Sequence, residues 1–200
     1  MIVAEYQAKA QNRLKAMINI VYCDRKMKWK SVLILYILFF SLSAMNVKIC
    51  HAEDSFVTFE NETDFTVVNL TFDNVGIYVL NCSRFVIANN VFVNVEYAIR
   101  IAIYAGQICE SFVIANNTFI GSEGTKPLVI LLGSPSERGI RNFLIVNNTL
   151  MSSQKIGVRF AENGIIASNK IINSSHGIAT RGVSNITIEG NFIENCSGYG

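Results

Sequence analysis

Two hundred residues, half of them hydrophobic and only 16% charged, exclude a disordered chain and allow one ordinary domain plus a targeting segment. The formal net charge of +2 is uneven: residues 1–52 carry eight Lys or Arg against two acids, and residues 53–200 carry nine against thirteen. The part beyond residue 52 is therefore mildly acidic, which argues against a nucleic-acid-binding surface.

In chain order, the first element is a leader. Arg25, Lys26, Lys28 and Lys30 precede an uncharged apolar run from Val32 to Met45, and Cys50-His51-Ala52 then places small residues before Glu53. This is the order of a secretory signal, with an apolar core shorter than a membrane span requires. Residues 1–52 are expected to be a cleaved signal or a retained anchor, with Met27 the more natural start. Residues 53–200 are expected to be exported to the periplasm, cell surface or medium, touching a membrane only through the N-terminal segment.

From Phe65 onward a repeat decides the fold. The pattern Ile-x-x-Asn-x-apolar appears as Ile87–Phe92, Ile114–Phe119, Ile145–Leu150, Ile166–Ile171 and Ile188–Ile193, after an earlier copy, Val67–Phe72, with Leu70 in place of the Asn. Steps from Leu70 through Asn90, Asn117, Asn148, Asn169 and Asn191 are 20, 27, 31, 21 and 22 residues. A basal period near 21 with two longer copies means one coil per repeat, with insertions at a corner. Each copy returns through a second strand, as in Gly76-Ile77-Tyr78-Val79, Ala98-Ile99-Arg100-Ile101, Gly157-Val158-Arg159-Phe160 and Gly177-Ile178-Ala179-Thr180. These short β-branched segments bounded by Asn, Gly and Ser are strands and turns. The two prolines, Pro127 and Pro135, fall in the longer copies, where interrupting a ladder does least harm.

The expected fold is all-β, a right-handed parallel β-helix of about six coils. Stacking brings equivalent positions of successive coils to about 4.8 Å. Asn90, Asn117, Asn148, Asn169 and Asn191 then form an amide-to-amide ladder along the rod. A single coil cannot offset its own ordering entropy, so stability must come from stacking. The last copy stops at Tyr199-Gly200, where the next strand would begin, so a fragment, a truncated frame or a partner-covered end is expected.

The repeat resembles those of the pectin-lyase-like superfamily, especially NosD-type and surface β-helix proteins, over about residues 57–200. The resemblance implies the fold strongly and an activity weakly, because this architecture carries lyases, hydrolases, epimerases and non-catalytic surface proteins. Polysaccharide cleavage needs facing carboxylates. The outward positions expected on the Gly-Ile strands are Tyr78 and Leu80, Arg100 and Ala102, Val129 and Leu131, Arg159 and Ala161, and Ala179 and Arg181, none of them acidic. The reading is a non-catalytic glycan-binding or cell-envelope module, with polysaccharide or another envelope protein as partner. A lyase or hydrolase fragment and a NosD-like periplasmic accessory protein are the alternatives.

Arg100, Arg159 and Arg181 with Tyr78 are expected to hold an acidic glycan by bidentate contacts and ring stacking. His176, in Ser175-His176-Gly177-Ile178, faintly resembles a polygalacturonase motif but lacks its acidic partners. No catalytic residue, cofactor or metal site is expected. Eight sequons, at Asn61, Asn69, Asn81, Asn116, Asn147, Asn173, Asn185 and Asn195, fall in turns off the ladder. A second strand set is apolar on both faces, with Val86, Ala88, Val113, Ala115, Leu144, Val146, Ile165 and Ala167 outward, which marks a contact surface. Cys82 and Cys109 occupy the same register on neighbouring coils and are expected to form a disulfide, leaving Cys196 free.

Overall fold

Asparagine tolerates the left-handed backbone region better than most non-glycine residues, because its short amide satisfies nearby backbone groups. The chain turns its corners on this property. Among the described residues nineteen non-glycine residues have positive φ and thirteen are Asn, including all eight sequon asparagines. A corner made by one such residue keeps its N–H in the ladder: Asn89, Asn116 and Asn147 donate to the carbonyls of Ala115, Val146 and Ala167 on the next coil at 3.1–3.2 Å.

The computed structural model describes residues 56–121, 128–136, 139–153 and 155–198. The leader over 1–52, Pro127 and the pair Tyr199-Gly200 lie outside the described residues. The first coil comprises β1 (Phe56–Glu60), β2 (Thr66–Val68) and β3 (Thr71–Asp73). The second comprises β4 (Gly76–Leu80), β5 (Val86–Ala88) and β6 (Val91–Val93). The third comprises β7 (Tyr97–Ala102), β8 (Cys109–Ala115) and β9 (Thr118–Ile120). The fourth comprises β10 (Leu128–Leu132), β11 (Ile140–Val146) and β12 (Thr149–Met151). The fifth comprises β13 (Lys155–Arg159), β14 (Ala161–Ala167) and β15 (Lys170–Ile172). The sixth comprises β16 (Ile178–Arg181), β17 (Ser184–Glu189) and β18 (Phe192–Glu194).

Every third strand pairs in parallel, giving a first sheet β1-β4-β7-β10-β13-β16, a second β2-β5-β8-β11-β14-β17 and a third β3-β6-β9-β12-β15-β18. The right hand of the coil follows the rule for parallel crossovers of L-residues. The protein is a right-handed parallel β-helix of six coils, as the repeat predicts.

In-register stacking makes the core a set of columns. Phe65, Phe85, Phe112 and Phe143 stack with centroids 4.9, 4.8 and 5.6 Å apart and planes within 13°. A second column holds Phe72, Phe92 and Phe119. The first column ends at Gly164, the register partner of Phe143, where an added Cβ would lie 2.3 Å from the Phe143 ring. The ring fills the volume that this glycine leaves.

The asparagine ladder forms as expected. Backbone N and Nδ2 of Asn90 both donate to Asn117 Oδ1 at 3.0 Å. Asn117 donates to Asn148, Asn148 to Asn169 and Asn169 to Asn191 in the same way, at 2.9–3.1 Å. Each Nδ2 also reaches a backbone carbonyl of an earlier coil, such as Val67 for Asn90 and Ile114 for Asn148. Leu70 donates its N–H to Asn90 Oδ1, and its apolar side chain ends the amide chain.

Two expectations, on β10 and on Ala161, need correction. Val129 and Leu131 point inward, 1% and 0% exposed, so Ile130 and Leu132 are the outward residues of β10. Ala161 is not on the first sheet; it opens β14 and is fully buried. The outward stripe on the second sheet is covered: Val86, Ala88, Ala115, Leu144, Val146 and Ala167 are buried, and Val113 and Ile165 are half-buried.

Candidate functional site

Insertions in a solenoid collect around its working face. The long coils place residues 103–108 and the described residues of 133–139 between the first and second sheets. The first sheet is thus flanked by insertions on its second-sheet edge. On its second-sheet side the two segments pack on each other: Cys109 N donates to Gly139 O at 2.8 Å, and a Cβ on Gly139 would lie 2.4 Å from Gln107 O. Tyr104 projects from the turn, 57% exposed, with its backbone N–H held by Asn81 Oδ1 at 2.9 Å.

The outward face of the first sheet divides the predicted ligand residues into two groups. Tyr78 and Arg100 are register partners on β4 and β7. The Arg100 guanidinium carbon lies 5.2 Å from the Tyr78 ring centroid and 5.9 Å from that of Tyr97. Phe56 closes the cluster at 6.1 Å from Tyr78 and 6.4 Å from Tyr97. Arg100 Nε is buried and has no hydrogen-bond partner, the one such side-chain atom among the described residues. A buried N–H without an acceptor costs free energy that a bound acceptor would recover. Tyr97 and Phe56 were not singled out from sequence; their place at the start of first-sheet strands was the available signal.

Arg159 and Arg181 are register partners of each other on β13 and β16, both exposed, in the column of Leu80, Ala102 and Leu132. They do not join Arg100, whose column continues to Ile130 and Gly157. The predicted single strip is therefore two separate columns. His176 is in neither: it is half-buried at the corner between the third and first sheets. Gly198 packs on its ring, where a Cβ would lie 2.6 Å from His176 Cδ2.

Cys82 and Cys109 correct the disulfide expectation. The bridge between Ser83 and Glu110 places them on neighbouring coils in one register, yet both are free thiols. In-register parallel strands hold their Cβ atoms side by side at about 4.8 Å, wider than the roughly 3.8 Å of a disulfide. Each thiol also turns to the preceding coil. Cys82 Sγ contacts Phe59 O and accepts from Glu62 N at 3.3 Å, and the Cys109 thiol is hydrogen-bonded to the Cys82 backbone. Burial pushes both thiols up, Cys109 from 9.0 to about 12.

The folded chain thus keeps the Cys109 proton where an unfolded thiol, at 9.0, releases it. This contribution to stability falls as pH rises from about 9 to 12. Alkylation at pH 8 followed by peptide mapping is expected to spare Cys82 and Cys109 in the folded chain and modify both after denaturation. Recovery of a Cys82–Cys109 disulfide peptide would contradict this.

A polar column absent from the sequence reading is Ser153–Ser174. Ser153 Oγ and Ser174 Oγ lie 2.9 Å apart, Ser153 N donates to Ser174 Oγ, and Ser174 Oγ donates to Ile172 O. Its signal was two serines at one offset after Leu150 and Ile171. Among the described residues no three His, Cys, Asp or Glu side chains form a metal-ligand group.

Residues 130–200 match the family model for a right handed beta helix region. The matched span runs through the fourth to sixth coils, and the same three β-helix sheets continue in register back to β1. Neither curated proteins nor solved structures gave a match. The β-helix frames a face bearing cations and aromatic rings. Among the described outward positions of the first sheet, the single carboxylate is Glu60, on β1. Glycosidic acid–base chemistry takes two facing each other.

Proposed function

We propose that this β-helix is an exported, non-catalytic module that binds polysaccharide on the outward face of its first sheet. The carrying observation is the Arg100 guanidinium between Tyr78 and Tyr97 with Nε unpartnered. Aromatic rings stack on the apolar faces of sugars, and a guanidinium beside them selects an anionic or hydroxyl-rich residue. The flanking insertions and the acid-poor face support the same reading.

The test is a glycan array probed with the full chain, paired with reducing-end and unsaturated-uronide assays on the same glycans. Binding without turnover is expected, weakened about tenfold by Tyr97→Ala and by Arg100→Gln. Turnover by the unmodified chain would replace this reading with a lyase or hydrolase. Binding unaffected by either substitution would move the site elsewhere.

A further inference from the structure

Charges elsewhere on this β-helix alternate in sign along the stack. Arg84 meets Asp64 of the preceding coil through two bonds of 2.9 Å. Arg141 donates to Glu110 at 2.8 Å and is in register with Glu162 on its other side. Arg159 and Arg181 break that rule. They are register partners on one face, so about 4.8 Å separates their strands, and neither has an ion pair or hydrogen bond to a side chain among the described residues. Like charges placed opposite one another destabilise a sheet.

The neighbouring column brings in a third cation. Beside the arginines lie Gly157 and Ala179. Gly157 has no positive φ, and a Cβ there would meet Ile130 Cγ1 at 3.6 Å and Lys155 Cε at 3.8 Å, ordinary contacts. Neither backbone nor packing demands glycine at this position. Its missing side chain lets Ile130 and the stem of Lys155 pack over the buried backbone, on the same face as the arginine pair, with no carboxylate on β13 or β16.

We infer that Lys155, Arg159 and Arg181 form a subsite for a tetrahedral oxyanion, a phosphate or sulfate group, on the outward face of β13 and β16. Two guanidiniums in one register present two forks of N–H donors. A carboxylate has two oxygens and matches one fork, whereas a tetrahedral oxyanion has enough oxygens to take both and the ammonium. The inference rests on the first sheet being a binding face, but its ligand group is the oxyanion and not a sugar ring.

Titration calorimetry of the full chain with inorganic phosphate, inorganic sulfate and acetate, at constant ionic strength, tests it apart from the glycan reading. Phosphate or sulfate is expected to bind at least about tenfold more tightly than acetate, and whichever is tighter identifies the ester. Arg159→Gln and Arg181→Gln should each weaken that binding about tenfold. Arg84→Gln removes the same charge away from this face and should leave it unchanged. In low salt without phosphate, Arg181→Gln should also raise the thermal midpoint, because it relieves the repulsion. Absence of binding, equal binding of acetate, or undiminished binding in both arginine variants would overturn the subsite. A blank glycan array with intact phosphate binding would overturn the glycan reading alone.

Discussion

Replacing Asn148 with leucine is expected to destabilise the β-helix by about 2–5 kcal/mol, measured by urea denaturation. Asn148 is 1% exposed and sits mid-ladder. Its Oδ1 accepts from Asn117 N and Nδ2, and its Nδ2 donates to Ile114 O, Val146 O and Asn169 Oδ1. Leucine keeps the approximate volume but leaves the buried Asn117 N–H without an acceptor. The loss falls between the third and fourth coils, so coupling across the rod weakens and the transition should broaden. Asn191→Leu is the control. It removes an acceptor only from Asn169, at a residue partly open to water, and should cost about 1 kcal/mol. Equal costs at the two positions would show that the amide serves its own turn and not the chain of amides.

Phe112→Ala is expected to cost about 3–5 kcal/mol by the same measurement. The ring is 1% exposed and lies 4.8 Å from Phe85 and 5.6 Å from Phe143. In-register stacking fixes its neighbours, so the surrounding column has little freedom to collapse into the cavity. Phe112→Leu keeps much of the volume and should cost under about 1.5 kcal/mol. A Phe112→Ala cost near that of the leucine variant would mean that the coils close up around the void.

The repeat was legible because each of its signals has one physical meaning. Isoleucine, then a corner residue, then asparagine and a bulky apolar residue spells inward side chain, left-handed turn, buried amide and inward side chain. Leu70 was legible as the odd member of the column, and it proves to be where the amide chain ends. The failures have equally local causes. Leu128-Val129-Ile130-Leu131-Leu132 is apolar throughout, so no alternation marks its faces, and the register against β7 shifts between Leu128 and Val129. A slip of one residue exchanges inside for outside. The three arginines looked like one strip because each follows a small residue and a β-branched one: Ala98-Ile99, Gly157-Val158 and Gly177-Ile178. Yet Arg100 precedes the end of its strand by two residues, whereas Arg159 and Arg181 end theirs. For the cysteines, sequence gave the register correctly but not the parallel direction of the two side chains.

The parallel stacking has a mechanical consequence. All three sheets bind coil to coil, so tension applied between the two ends of the rod pulls along the hydrogen bonds and loads them one coil at a time. The rod should yield by unwinding in discrete lengths, not by a single rupture. A coil of 21 residues releases about 70 Å of extended chain. The 27- and 31-residue steps in mid-rod release about 90 and 105 Å. Such a rod would behave under load as a spring with a few coded lengths, the longest of them carried by the coils that frame the first sheet.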